Sequence, residues 1–188
     1  MADQALPQRI AECGKEMAMA AVSAFTTPGA GVHPPTLIAA CARMAGTYLF
    51  RSFGLRIPEG AAPGQVVLSE EASKQIPALL QTCAGVLARL GTTIASAPSG
   101  PIVEEKSKPR QELLDTQKRL EPLFAPLQLK YVLDNRQAAH AAAVATAMAV
   151  HASRQHLDPN AGFGLAAFSF AEGSQTLPAE IGKAGNAA

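Results

Sequence analysis

Alanine dominates the apolar content of this chain: 38 Ala and 19 Leu stand against 16 Val and Ile combined. Ala and Leu lose little on entering a helix, and the β-branched residues that fill sheets are scarce, so the composition predicts an all-α fold. Alanine also offers little area to bury. Helices built from it must approach closely, backbone near backbone, to exclude enough water. With 188 residues, 16% of them charged, the chain is the size of one domain and long enough to bury a core without a metal, a disulfide or a cofactor. A single helical domain over 1–188 is expected.

Hydrophobic spacing supports the helical reading. Leu6, Ile10, Cys13, Met17, Ala20 and Ala24 step by four and three, one apolar stripe of a helix over 3–25, with Pro7 tolerated in its first turn and a Gly/Pro stretch at 27–31 as its stop. Thr36 reads as the N-cap of a second helix over 37–53, apolar almost all round and halted by Gly54. Such a helix belongs at the centre of a fold or against a partner. Residues 54–65 form a connection, and strand pairing of 55–57 with 66–68 is not expected. Ser69, Glu70 and Glu71 open a third helix that ends at Gly91, with Pro77 either kinking it or marking its true first turn.

Residues 92–108 read as a mobile loop. A fourth helix begins near Leu113 and is interrupted at Pro122 and Pro126, leaving 127–133 as a separate short helix. Asp134 and Gln137 have capping-box spacing and open the longest helix, 135–155. Asp158 and Pro159 open the last, 159–172, closed by Gly173, and about 174–188 form a loose tail. The sum is an orthogonal or irregular bundle of six to seven helices.

Several classes of function are excluded on chemistry. A net charge of +1 with no basic run and no Trp provides neither the electrostatic footprint nor the stacking platform of a nucleic-acid binder. The most apolar stretches, 37–53 with Arg43 and Arg51 inside and 138–150 with His140, are too short or too polar to span a bilayer. Cys13, Cys41 and Cys83 are odd in number, far apart and set in apolar stripes, which predicts inert free thiols in a reducing cytoplasm. The start of the chain lacks the features of a signal peptide.

Motifs that resemble chemistry fail on context. Gly162, Gly164 and Ala167 fit a GxGxxA pattern, but no strand precedes it and the helix has already begun at Pro159, so close helix packing is the better reading. His140 and His151 share a helix face yet lie about 16 Å apart along its axis, and His151 and His156 point about 140° apart, so no metal site is expected. GxSxG elbows and ExxH pairs are missing, and no catalytic residue is assigned.

Two features remain. Arg43, Thr47 and Arg51, at i, i+4 and i+8, form a polar stripe on the second helix, and His33 lies in the loop leading to it. These four are the candidate ligand-binding residues, because a guanidinium on an apolar helix demands a carboxylate or an anion. Ala139, Ala142, Thr146, Ala149 and Ser153 form a small-residue stripe suited to close helix contact, within one chain or across a dimer. The leading functional expectation is a cytoplasmic, non-catalytic helical protein that forms a homodimer and binds a protein partner, with neither nucleic acid nor membrane as a target. The alternative is a protein or enzyme holding a small acidic ligand on the arginine stripe. A packed stripe favours the first, and an open pocket beside it favours the second.

Overall fold

The computed structural model describes residues 5–55, 57, 60–94 and 108–179. Among these residues the elements are six helices: α1 (Leu6–Phe25), α2 (Pro34–Ser52), α3 (Glu70–Arg89), α4 (Leu113–Lys130), α5 (Asn135–Ala152) and α6 (Pro159–Ser174). The fold is an all-helical bundle. Side-chain caps fix three of the starts. Ser69 Oγ accepts from the Ala72 N–H, Asp134 and Gln137 complete a reciprocal capping box, and Asp158 Oδ1 accepts from the N–H groups of Asn160 and Ala161. Each satisfies donors that the helix itself leaves orphaned.

The nearly uniform apolar character of α2 has its reason in position. Every residue from Pro35 to Phe50 is buried, with α5 and α6 as its main neighbours and α4 and α1 packed beside them. α5 lies against α1, α2 and α3, and its small-residue stripe is consumed there: Ala139, Ala142, Thr146, Ala149 and Ser153 are all buried within the single chain. One continuous cluster, including Met17, Ile38, Met44, Leu87, Phe124 and Phe170, forms the core.

Close approach is most acute where α2 crosses α6. A Cβ added at Gly46 would stand 2.5 Å from the Phe170 carbonyl oxygen, and one at Gly173 would stand 2.3 Å from that of Arg43. Only a residue without a side chain lets the two backbones meet at this distance. Alanine richness and paired glycines are thus two expressions of the same packing requirement.

Several boundaries differ from the sequence expectation. α2 begins at Pro34, three residues before the expected start, because two prolines are pre-set for a first turn that needs no N–H bonds. Thr36 is therefore inside the helix, and its hydroxyl is not a cap. Pro77 lies inside α3, and α4 runs unbroken through Pro122 and Pro126, with no separate helix at 127–133. Pro122 and Pro126 are four apart and exposed, as is Lys118, so the carbonyls they deprive of partners, on Lys118 and Pro122, lie on the solvent side. Burial of Leu120 and Phe124 on the opposite side holds the helix together. α5 ends three residues early, and α6 continues through Gly173.

The segment expected to open a loose tail is instead fixed as far as the structure describes it. Val66 bridges to Thr176, the Gly64 N–H donates to Leu177, and the Ala179 N–H donates to Gln117 Oε1. Leu177 is buried because these bonds draw it onto the bundle. The expectations for residues 1–4, most of the 92–108 loop (95–107) and 180–188 fall outside the described residues.

Candidate functional site

The polar stripe of α2 is closed. Arg43 is buried, and its Nε donates to Glu172 Oε2 at 2.7 Å while Nη2 donates to Glu172 Oε1 at 3.2 Å, a two-pronged pair across the α2–α6 crossing. Its Nη1 donates to the Gln111 carbonyl. Arg51 is ion-paired with Glu121 of α4. Between them the Thr47 hydroxyl donates to the Arg43 carbonyl and accepts from Gln117 Nε2 at 2.9 Å, and Gln117 in turn accepts the Ala179 N–H. Thr47 and Gln117 are fully buried, so this chain of bonds answers the cost of placing polar groups in a core.

The structure therefore spreads the four candidate residues among different partners and does not gather them around a common space. His33 is at the far end of α2, where its Nδ1 lies 2.8 Å from Thr36 Oγ1. Thr36 Oγ1 also accepts the Arg110 N–H at 3.0 Å, tying the approach to α4 onto the start of α2. An acidic ligand on Arg43 or Arg51 would have to displace Glu172 or Glu121. Neither glutamate carried a local signal in the sequence, because their role depends on which helices cross.

The remaining sequence candidates also resolve into packing. His140 Nδ1 lies 2.8 Å from Thr82 Oγ1, and His151 Nδ1 lies 2.7 Å from Thr92 Oγ1. Among the described residues no group of three or more His, Cys, Asp or Glu could hold a metal ion. Cys13, Cys41 and Cys83 are free and buried, and burial pushes each thiol up to about 12. Burial likewise raises the phenol of Tyr48, whose enclosed hydroxyl has no hydrogen-bond partner among the described residues. Gly162 lies inside α6 against Val150, where an added Cβ would come within 3.2 Å of Val150 Cγ1.

Two concave surfaces among the described residues bear on function. The first is an apolar groove of about 340 Å³ between α1, α2 and α5, with Met19, Val22, Leu37, Cys41 and Met148 in its walls and Ser23 as its polar side chain. The second is a cleft of about 560 Å³ at the start of α2, reached by His33, Arg110, Arg119 and His156. Of the four residues proposed from sequence, only His33 lines it. Arg110, Arg119 and His156 were not visible as a set because they lie on three separate segments, before α4, within α4 and after α5.

No protein-family model, curated protein or solved structure matches this chain. Among the described residues, no helix is long and apolar enough to cross a membrane.

Proposed function

We propose that this chain is a non-catalytic cytoplasmic helical protein that acts by association, forming a symmetric homodimer and binding a protein partner. The apolar groove between α1, α2 and α5 carries the reading. Met19 and Val22, one turn apart on α1, line that groove and remain 63% and 42% exposed. A protruding apolar knob beside an apolar hollow is self-complementary, since a two-fold axis brings each copy's Met19 to the other's groove. Met19 and Met148 can repack to suit the contact.

The interior chemistry agrees with a binding role. The arginine stripe is occupied by its own carboxylates, and the thiols are buried and held protonated. Free thiols suit a reducing cytoplasm. Light scattering coupled to size exclusion tests the reading: the wild type is expected at twice the 19.5 kDa chain mass, and Met19→Glu is expected to weaken the dimer at least tenfold while keeping the helical spectrum. A wild type that stays at 19.5 kDa across micromolar to millimolar concentration rejects it.

A further inference from the structure

We propose that the cleft at the start of α2 is a binding site for a small phosphate-bearing anion. The cleft is built from four parts of the chain: the turn after α1, the start of α2, the α4 region and the segment after α5. Its ionisable lining residues are His33, Arg110, Arg119 and His156, and no Asp or Glu is among the described residues that line it. In a chain with a net charge of only +1, the two arginines, with no acid beside them among those residues, make the wall a local concentration of positive charge. Its volume of about 560 Å³ falls in the range of roughly 300–1,000 Å³ common to small-molecule sites.

The two arginines differ in kind from those of the stripe. Arg43 and Arg51 are consumed by Glu172 and Glu121, whereas neither Arg110 nor Arg119 has an ion pair among the described residues. Arg119 is placed over the Phe25 ring, 5.1 Å from its centroid. A cation–π contact draws on the charge of a guanidinium and does not consume its N–H donors, the groups that match a phosphate. Arg110 is anchored through its backbone N–H on Thr36 Oγ1, which holds the residue at the cleft without using its side chain. The positive end of the α2 dipole adds to the same field, although Pro34 and Pro35 offer it no N–H groups. The ligand contacts thus fall to the side chains.

The test is isothermal titration calorimetry of the whole chain with inorganic phosphate and with phenyl phosphate, at ionic strength matched with chloride. Saturable one-site binding is expected, weakened at least tenfold in both Arg110→Gln and Arg119→Gln and unchanged in Arg89→Gln, an exposed arginine on α3. Tighter binding of phenyl phosphate identifies an organic phosphate as the ligand class, and equal binding identifies the free anion. Helical spectra and melting temperatures of the variants serve as the folding control, and because Arg110 is exposed and its anchoring group is its main chain, that variant keeps the test valid if Arg119→Gln disturbs Phe25. The proposal is overturned if no saturable binding occurs, or if affinity in the Arg110→Gln and Arg119→Gln proteins stays within twofold of wild type.

Discussion

Gly173 of α6 rests on the main chain of Arg43 in α2, so close that a Cβ at position 173 would stand 2.3 Å from the Arg43 carbonyl oxygen. Backbone cannot yield as the end of a flexible side chain can. Gly173→Ala should therefore lower unfolding free energy by about 2 kcal/mol or more, overpacking outweighing the gain in helix propensity of roughly 1 kcal/mol. Gly85 of α3 meets nothing within 4 Å of an added Cβ, so Gly85→Ala should stabilise by roughly 0.5–1 kcal/mol. Urea denaturation of both variants checks the opposite signs, and a neutral Gly173→Ala would refute the close contact.

Arg43 and Glu172 form a buried pair whose acid keeps some access to water, its side chain being 26% exposed. Arg43→Met strands that carboxylate and removes a donor to Gln111, and should cost about 2–3 kcal/mol. Adding Glu172→Leu should recover part of the loss, giving a favourable coupling in a double-mutant cycle. Equal effects of Arg43→Met in the presence and absence of Glu172 would show that the pair contributes nothing.

His140 links stability to pH. Burial, reinforced by the charge of Arg136, holds its pKa below the ordinary 6.5, so below that value the unfolded chain takes up a proton that the folded chain resists. Stability from this group is complete above about 6.5 and is lost as pH falls through the lower folded value. His140→Gln should flatten the fall in denaturation midpoint between neutral and mildly acidic pH. An unchanged profile would remove His140 as its source.

The three thiols, each pushed up to about 12 by burial, should react slowly with a disulfide reagent at pH 8 because only a trace of thiolate is present. Unfolding in guanidinium should expose all three together and give rapid reaction. A fast-reacting equivalent in the native protein would contradict the burial of at least one cysteine.

Much of the architecture was legible locally. Ser69, the Asp134–Gln137 box and Asp158–Pro159 mark helix starts because a cap is satisfied within three residues of itself, and the apolar spacing of α1 needs no tertiary knowledge. The alanine excess already implied close helix contact. Prolines misled at 122 and 126, and Pro34 with Pro35 concealed the start of α2, because whether a helix survives a missing N–H depends on where the orphaned carbonyl points. That direction is set by the rest of the bundle.

The candidate site divides along the same line. The sequence alone determined that Arg43 and Arg51 share one face of a deeply apolar helix and must each meet an opposite charge, since desolvating a guanidinium unpaired costs too much. Only the packing of α2 against α6 and α4 decided that the charges are Glu172 and Glu121, which lie 129 residues from Arg43 and 70 from Arg51 along the chain. The same packing drew Arg110, Arg119 and His156 to the end of α2 around His33. Local rules act over a turn or two of helix; the partner of a charge and the lining of a cleft depend on distances between helices, which are fixed when the backbones close on their alanines and glycines.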